Sequence, residues 1–332
     1  MKERSFLNRL SWSGFALLCF ALLATPVRPG PSAPRLGPAL VRLQIEAVPL
    51  DLTNPARRQL GELTFLGGWA LTSADPRFGG ISAMRVEANM VTALSDAGTV
   101  LRFAVPSGAG ESRVHIAAVP RGPGSGRRKS DRDVEAMFVD GNRVWLAFES
   151  RNQVWRYALP GWRAEAAAAP RAMRRWRRML GAEAMTRLSD GRFLLISEAS
   201  GRVAGESDAL LFAGDPAVAG TPSEALRYRP PAGFRATDAA LLPDGRLLIL
   251  NRRFDWLEGV STALVLVEPG AIRPGATFEG RPIARLGWPL ASDNLEALSV
   301  TREGGRTILW LASDDNFSPL QRTLLLKFAL EE

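Results

Sequence analysis

The sequence predicts an all-β fold, and within that class a β-propeller built from six four-stranded blades. Three observations support this prediction: a strand-rich segment recurs along the chain, a tight glycine turn recurs inside the segment, and an apolar run of strand length follows each turn. Units of about fifty residues with four strands each are typical of propeller blades rather than of leucine-rich or helical repeats. Seven blades is the alternative.

The repeat is visible in five segments that share one pattern, a short apolar strand, a turn, and a second strand that ends in polar residues. One alanine aligns in all five, and successive alanines are 53, 48, 55 and 58 residues apart. The aligned alanines are Ala83, Ala136, Ala184, Ala239 and Ala297. Such regular spacing over most of the chain indicates one supersecondary unit that is repeated around an axis.

The turns inside these segments favour hairpins. Asp-Gly or Gly-Gly pairs supply the positive φ angles that tight hairpins need, and they occur at 140–141, 190–191, 244–245 and 304–305. An apolar run follows each turn, as at 144–148 and 247–250. These features predict the first two strands of each blade.

Residues 41–72 contain two further strand-like stretches and supply the predicted sixth blade, closed by strand exchange with the C-terminus. Closure has a physical basis, because an open ring would leave unpaired sheet edges. We therefore predict that residues 31–332 form a single propeller domain, and we expect a monomer.

The first thirty residues have the pattern of an export signal. Lys2, Arg4 and Arg9 precede a largely apolar segment at 10–24, and several prolines follow it. We assign residues 1–30 to a signal peptide or, without cleavage, to an N-terminal membrane anchor, which is the only membrane contact expected. The protein is then expected in the periplasm or secreted, with anchoring in the inner membrane facing the periplasm as the alternative. Cys19 is the single cysteine, so the remaining domain has no thiolate.

The basic character of the chain does not indicate nucleic-acid binding. The net charge is +8, but 39 of the 42 basic residues are arginines, which is typical of a genome-wide compositional bias. The densest basic clusters, at 127–129 and 171–178, lie beside Gly/Pro-rich or alanine-rich sequence and are predicted to be solvated loops. No nucleic-acid motif accompanies them, so no nucleic-acid partner is expected.

Acidic residues occupy equivalent positions in the repeats. In a propeller the innermost strands surround the central channel, so equivalent residues converge there. The position before each aligned alanine holds Ser82, Glu135, Glu183, Asp238 and Glu296. The end of the next strand gives a second set: Asp96, Glu149, Glu198, Asn251 and Asp314, with Asn316 close by and the arginines Arg151, Arg252 and Arg253 beside it. The sequence therefore predicts a site of carboxylates and arginines at the channel mouth.

Converging carboxylates need compensation, because like charges about 4 Å apart repel by on the order of 4 kcal/mol at an effective dielectric constant near 20. Bound cations, arginine pairing and raised carboxyl pKa values are the three ways to provide it. Oxygen ligands suit Ca²⁺, whereas one histidine and no cysteine in the domain disfavour Zn²⁺. The structural alternative is that these side chains only cap strand ends.

The segments RFGGISAM from Arg77, DVEAMFVDGNRVWLAFESR from Asp133, GAEAM from Gly181, DNLEALSV from Asp293 and LWLASDDNF from Leu309 resemble the phytase-like domain family. These are bacterial propellers with esterase-like activity that are related to β-propeller phytases. The resemblance covers nearly the whole chain after the N-terminal segment. It implies an exported, calcium-dependent propeller that acts on a small phosphate or other ester.

The resemblance implies site roles for Glu135, Glu149, Arg151, Glu183, Glu198, Glu296 and Asp314, and the repeat positions add the other candidates. We expect catalytic roles for Glu183, Glu296, Arg151 and Arg252, and calcium binding by Glu135, Glu149, Glu198, Asp238 and Asp314. Arg253, Asp96 and Asn316 are expected to contact the substrate. The chain departs from the family at Ala136, Ala184 and Ala297, where glycine often follows the acidic residue, and the extra methyl groups predict a narrower channel mouth.

Two classes of function follow from this reasoning. The first is a metal-assisted ester or phosphomonoester hydrolase, with arginine neutralising the anionic substrate. The second is a non-catalytic periplasmic propeller that binds a ligand or a protein partner, since propellers carry many unrelated functions. Turnover that requires the carboxylates would distinguish the first class from the second.

Overall fold

The computed structural model describes residues 37–126, 128–177, 180–200 and 203–331. These residues form twenty-three β-strands, four short 3-10 turns and no α-helix, so the predicted all-β class is confirmed. The strands are β1 (Ala39–Ala47), β2 (Gln59–Leu60), β3 (Leu63–Thr72), β4 (Ile81–Glu87), β5 (Met90–Ser95), β6 (Thr99–Ala104), β7 (Gly110–Ala118), β8 (Val134–Asp140), β9 (Arg143–Phe148), β10 (Gln153–Ala158), β11 (Arg163–Ala168), β12 (Ala182–Arg187), β13 (Phe193–Ser197), β14 (Ser207–Phe212), β15 (Ser223–Tyr228), β16 (Arg235–Leu241), β17 (Leu247–Asp255), β18 (Gly259–Val267), β19 (Thr277–Phe278), β20 (Arg281–Leu286), β21 (Leu295–Glu303), β22 (Arg306–Ser313) and β23 (Thr323–Leu330).

The strands assemble into antiparallel blades of four. Blade 1 is β4 to β7, blade 2 is β8 to β11, blade 3 is β12 to β15, and blade 4 is β16, β17, β18 and β20. Blade 5 is β21, β22 and β23, completed by β3 as its outermost strand. The short β19 pairs in parallel with β15 at the edge of blade 3.

Local sequence explains the first hairpin of the blades. Gly141 and Gly245 adopt φ angles of 57° and 88°, a region that glycine enters without the cost imposed by a Cβ atom. These turns fix the pairing of β8 with β9 and of β16 with β17. The second strands are buried on both faces between neighbouring blades, which is why they read as continuous apolar runs such as that of β22.

The innermost strands form a closed ring of five. Each of β4, β8, β12, β16 and β21 contacts the innermost strands of the two adjacent blades, and β21 contacts β4 to complete the circle. The described residues therefore contain five blades. The predicted number of blades, six with seven as the alternative, is therefore wrong. The predicted propeller architecture is confirmed.

The segment that was expected to form a sixth blade instead closes the ring. It contributes two long strands, which is too few for a blade of its own. β3 pairs along its length with β23, the strand exchange with the C-terminus that the sequence predicted. β1 then bridges the outer edges of blades 5 and 1 by pairing with both β3 and β7, so the two blades share one ten-stranded sheet.

Apolar side chains fill the spaces between blades and hold the inner strands in place. Between blades 5 and 1, for example, the rings of Trp69 and Trp310 stack with centroids 6.4 Å apart among buried aliphatic residues. Stacked aromatic pairs add about 0.5–1.5 kcal/mol to the burial of their area. The packing leaves the beginnings of the inner strands at one end of the ring, where the predicted polar residues lie.

The strands all lie in the compact unit Arg35–Glu332. The predicted signal peptide or anchor at residues 1–30 lies outside the described residues. Among the described residues, no helix is long and apolar enough to cross a membrane.

Candidate functional site

A bulge near the start of each inner strand creates the candidate site. In all five inner strands the pairing with the second strand skips one residue. A bulged residue is left out of the ladder and its side chain is redirected. The skipped residues are Ser82, Glu135, Glu183, Thr237 and Glu296.

In blade 4 the bulge lies one residue earlier than the sequence alignment predicted. Asp238 pairs with Leu250, as Ala136 pairs with Ala147 in blade 2, so Thr237 and not Asp238 occupies the bulged position. A shift of one residue turns a side chain to the opposite face of a strand. The structure therefore does not bring Asp238 into the acidic cluster, where the sequence predicted a metal ligand.

Asp238 instead links blade 4 to blade 5. Its carboxylate is buried and accepts hydrogen bonds from the backbone N–H groups of Ala239, at 2.8 Å, and Leu298, at 2.7 Å. Burial raises the pKa of Asp238 well above its ordinary value, and the two backbone donors oppose this shift. This is the strand-capping role that was the structural alternative for the whole set.

Replacing Asp238 with alanine is expected to lower the free energy of unfolding by about 2–4 kcal/mol, because two buried N–H groups lose their acceptors. Urea denaturation would measure this change. The matched control is Glu224→Ala, which removes an exposed carboxylate from β15 and is expected to change stability by less than about 0.5 kcal/mol. Equal stability of the two variants would contradict the bridging role.

The second set of acidic residues is fixed by a repeated backbone hydrogen bond. The N–H of Glu149 donates to the carbonyl of Asp133 at 3.0 Å, two residues before the bulged Glu135. The same bond recurs in three further blades, from Asp96 to Gly80, from Glu198 to Gly181 and from Asp314 to Asn294. Each bond brings a second-strand carboxylate beside the bulged position of its own blade. In blade 4 Asn251 is buried and bonds to Tyr228 and to backbone carbonyls, so it is structural.

Carboxylate oxygens meet in two groups that share Glu149. Oxygens of Asp133, Glu135 and Glu149 lie within 4.8 Å of one another, as do those of Glu149, Glu183 and Glu198. Asp133 was missed by the sequence analysis. It lies two residues before Glu135, and that spacing along an extended chain could have indicated a shared face.

Within the described part of the chain, three cations face these carboxylates. The Arg252 guanidinium lies between Glu198 and Glu296, with N–O distances of 3.7 and 3.5 Å, and Lys129 lies between Asp96 and Asp133, at 2.8 and 3.1 Å. Arg235 adds a contact of 3.0 Å to Glu198. These three cations face a connected set of nine carboxyl groups: Asp96, Asp133, Glu135, Glu149, Glu183, Glu198, Glu296, Asp314 and Asp315. We call this set the acidic cluster.

Arg128 and Lys129 are exposed, as the prediction of a solvated loop at 127–129 expected, and Lys129 also contacts the acidic cluster. A 3-10 turn at Lys129–Asp131 places the ammonium group between two carboxylates of the cluster. Burial opposes its charge, but those two carboxylates raise the pKa of Lys129 above its ordinary value. The contact with Asp133 spans only four residues of sequence, whereas the contact with Asp96 of blade 1 could not be predicted from local sequence.

Several buried carboxyl groups of the acidic cluster have raised pKa values, which favour their protonated forms. Burial and the negative charges around them raise the pKa of Glu135, Glu183 and Asp314 well above their ordinary values. Burial raises the pKa of Glu149 to about 7 and also raises the pKa of Glu296. Cations or protons must therefore enter the cluster near neutral pH.

Arg151 and Arg253 make their contacts away from the acidic cluster, whereas Asn316 contacts one of its members, Asp314. Arg151 pairs with the buried Asp131, and Arg253 pairs with Glu258 and covers the ring of Phe234. The Asn316 N–H donates to Asp314 at 2.6 Å and its side-chain amide donates to Gln321. In the described part of the chain, the contacts of Arg151 and Arg253 support neighbouring loops, while Asn316 orients a member of the acidic cluster.

The alanines that follow the acidic residues do not narrow the channel mouth, contrary to the expectation. Ala136, Ala184 and Ala297 are completely buried in apolar clusters between blades. Because of the bulge, the acidic side chain and the alanine that follows it point in different directions. A methyl group at these positions therefore adds packing contacts and leaves the space among the carboxylates unchanged.

Several solved structures match most of the chain at low identity. An endo-arabinase from Bacteroides thetaiotaomicron VPI-5482 is 11% identical, with 75% of this chain and 93% of that chain covered and a TM-score of 0.49. The Myxococcus xanthus glutaminyl cyclase is 10% identical, with 75% and 90% covered and a TM-score of 0.44. The PQQ-bound aldose sugar dehydrogenase from Streptomyces coelicolor is 13% identical, with 76% and 94% covered and a TM-score of 0.43.

Sequence comparison identifies the family directly. No curated protein matches the sequence. The family model described as "Phytase-like: Esterase-like activity of phytase" matches residues 76–317, which include every member of the acidic cluster. The chain belongs to the phytase-like family.

Proposed function

We propose that this protein hydrolyses small phosphate or other esters at the acidic cluster and that the cluster binds Ca²⁺. The observation that carries the proposal is the meeting of two carboxylate groups at Glu149, with their oxygens within 4.8 Å. The carboxylates in such an arrangement repel one another unless a cation or protons neutralise their charge. Export to the periplasm or medium, a monomeric state and a small-molecule substrate remain parts of the proposal.

The donor set of the acidic cluster fits calcium. Ca²⁺ takes six to eight oxygen ligands at flexible angles, and the cluster offers carboxylate oxygens from several blades. One buried oxygen of the acidic cluster, Asp96 Oδ1, has no hydrogen-bond partner among the described residues, so it can accept a contact from a bound cation or from the substrate. Zn²⁺ prefers the nitrogen and sulfur donors that this cluster does not provide.

We assign the calcium ligands to Asp133, Glu135, Glu149, Glu183 and Glu198. When bound, calcium would polarise an ester oxygen and favour ionisation of a coordinated water. This assignment moves Glu183 from the catalytic role expected from the sequence to a ligand role, because its oxygen lies within 4.8 Å of those of Glu149 and Glu198.

Arg252 and Glu296 are then the residues proposed to act on the substrate. The Arg252 guanidinium carries its charge in the middle of the cluster and can donate N–H groups to an anionic substrate oxygen. Glu296 lies beside it, held by a 2.9 Å hydrogen bond from Asn294. Because burial raises the pKa of Glu296, its carboxyl group is suited to donate a proton to the leaving oxygen.

The test is hydrolysis of p-nitrophenyl phosphate and p-nitrophenyl acetate by the full chain, with calcium and with a chelator. We expect calcium-dependent release of p-nitrophenol from at least one of the two esters, and the preferred ester would distinguish phosphatase from carboxylesterase activity. Absence of release from both esters, for folded protein that binds calcium, would contradict the hydrolase and favour the non-catalytic propeller.

A further inference from the structure

The face of blade 1 that meets blade 2 changes character along its strands. Near the channel mouth it is apolar, and Ala83, Leu94 and Val100 are buried against blade 2. Side chains two residues further along each strand lie on the same face, and there a row of mostly polar side chains begins. The row crosses five strands, with each residue paired with the next: Arg85, Thr92, Arg102, His115 and Leu40. Its members are exposed or half-buried, so blade 2 does not cover this part of the face.

A groove remains between the two blades at this end. A cavity of about 370 Å³ separates the row from blade 2, and it adjoins an open hollow of about 990 Å³ over β6, β7 and β1. Met90 and Arg102 line both spaces, and we call the two together the blade 1–2 groove. Sites for small molecules are concave and have volumes of about 300–1,000 Å³. The size of the groove therefore fits a small ligand.

The wall of the groove that blade 2 supplies is apolar. Its lining residues are Met137, Val139, Val144, Leu159, Pro160 and Trp162. The Trp162 ring packs against the buried Tyr157 ring, with centroids 6.1 Å apart, which fixes its position. This wall is suited to an alkyl or aryl group and offers no side chain that would bind a charge.

The opposite wall, from blade 1 and β1, carries an excess of positive charge. The charged residues that line the groove are Arg42, Arg85, Arg102, Arg113, Glu87 and Glu111. The Glu111 carboxylate pairs with Arg42 at 3.2 Å. The Glu87 carboxylate lies 3.7 Å from Arg85. In the part of the chain that the structure describes, Arg102 and Arg113 have no carboxylate partner, so two positive charges of the groove are left without a counter-ion.

Strand pairing places Arg102 and Arg113 where both can contact one headgroup. Arg102 pairs with His115, and Arg113 lies two residues before His115 on the same face of β7. Diagonal neighbours of this kind are about 7–8 Å apart, which long side chains can span. Arg85 adds an unsatisfied donor, because its buried Nε–H has no acceptor among the described residues. Guanidinium groups bind carboxylate and phosphate oxygens through two parallel N–H bonds.

The blade 1–2 groove is separate from the acidic cluster. The cluster surrounds the beginnings of the inner strands, whereas Arg85 and Glu87 lie toward the end of β4. No member of the acidic cluster lines the groove. An anion in the groove would therefore meet Arg102 and Arg113 without contacting the carboxylates of the cluster.

We propose that the blade 1–2 groove binds a small amphipathic anion, with its carboxylate or phosphate headgroup on Arg102 and Arg113 and its apolar chain against Met90 and the blade 2 wall. The chain gains free energy by leaving water, and the two arginines gain the acceptors that they lack. A neutral amphiphile leaves the arginines unpaired, and a bare anion leaves the apolar wall in water, so the two walls together select molecules that have both parts. This binding does not depend on the proposed hydrolase activity.

The test is isothermal titration of the full chain with decanoate and with decyl phosphate, which distinguish the two headgroups, and with uncharged decyl maltoside. We expect at least one anion to bind, about tenfold or more tightly than the maltoside, and Arg102→Gln/Arg113→Gln to lower its affinity by about tenfold or more. The matched control is Arg273→Gln/Arg306→Gln, which removes two exposed arginines outside the groove and should bind like the wild type. Failure of both anions to bind, maltoside binding as tight as theirs, or equal losses in the two folded variants would overturn the proposal.

The length of the apolar chain provides a second readout. For the headgroup that binds, the affinity of the wild type should rise about fourfold for each CH₂ group buried between the butyl and decyl compounds. Met90→Asp places a carboxylate where the two spaces of the groove meet and should remove most of this rise. Met90 is half-buried and belongs to none of the buried apolar clusters of blade 1, so the variant should fold. An unchanged rise in this variant would place the chain elsewhere, the N-terminal segment included, and overturn the proposal.

Discussion

Replacing Glu183 with glutamine is expected to reduce calcium-dependent ester hydrolysis by about 100-fold or more and to weaken calcium binding by at least about tenfold. Glu183 supplies one oxygen of the group that it forms with Glu149 and Glu198. Glutamine has nearly the same volume but lacks the negative charge, so the variant tests the charge without opening a cavity. Altering even an outer-shell partner of a metal ligand costs about 10- to 100-fold, and loss of a ligand's charge should cost at least as much.

The measurement is isothermal titration with calcium, together with steady-state hydrolysis of the better p-nitrophenyl ester. Asp140→Asn is the matched control, because Asp140 is an exposed carboxylate in the turn at the opposite end of blade 2, where it pairs with Arg187. This variant should bind calcium and turn over substrate like the wild type. Calcium binding by Glu183→Gln that equals that of the control would exclude Glu183 as a ligand.

Removal of divalent cations is expected to make the stability of the protein strongly dependent on pH. The acidic cluster contains carboxyl groups whose pKa values are raised in the folded state, among them Glu149 at about 7. Such groups stabilise the fold fully below their unfolded pKa, near 4.5, and that contribution is lost as the pH rises through the folded pKa. For Glu149 alone the change amounts to about 3 kcal/mol, and Glu135 and Glu183 act in the same direction.

Urea denaturation in the presence of a chelator at about pH 5 and about pH 8 would measure this effect. We expect a lower free energy of unfolding at the higher pH, and we expect calcium to restore most of the loss, because it binds the folded state. Glu149→Gln should flatten the pH dependence of the chelated protein. Higher stability at the higher pH without calcium would contradict the raised carboxyl pKa values.

The repeat in the sequence was sufficient to predict the class of fold and the convergence of most acidic residues. Glu135, Glu183 and Glu296 share a position in three blades, and the structure places all three in the acidic cluster. Their roles in binding and catalysis remain predictions. The recurrence was informative because symmetry about an axis turns equivalent sequence positions into neighbours in space.

Two predictions were wrong, the place of Asp238 in the acidic cluster and the number of blades. Both errors have the same physical origin, because each depends on how the strands pair with one another. In blade 4 the bulge falls on Thr237, and the residue after it is Asp238 where other blades have alanine. An alignment that matched alanines therefore selected Ala239, and it placed Asp238 instead of Thr237 at the bulged position. The count of six blades failed for a similar reason, because β1 and β3 look like strands of a new blade but complete the edges of others.

Lys129 shows a further limit of reasoning from sequence. Its neighbours in the sequence are basic and glycine-rich, which predicted the exposure that Lys129 has but not the contact of its ammonium group with Asp96 of blade 1. Nothing in the local pattern records such a contact, since Asp96 is thirty-three residues away. A residue that neutralises such a group of carboxylates can be identified only when the strand topology that brings the carboxylates together is known.

The pairing of β3 with β23 also sets the moment at which the ring can close during synthesis of the chain. β3 is among the first of the described strands to be made, but its long antiparallel partner at Thr323–Leu330 is the last of them. Until the ribosome has released that final strand, the ring stays open, and Asp314 from blade 5 has no fixed position beside Asp96 from blade 1. A chain without β23 would therefore contain every other strand but neither a closed ring nor an assembled acidic cluster.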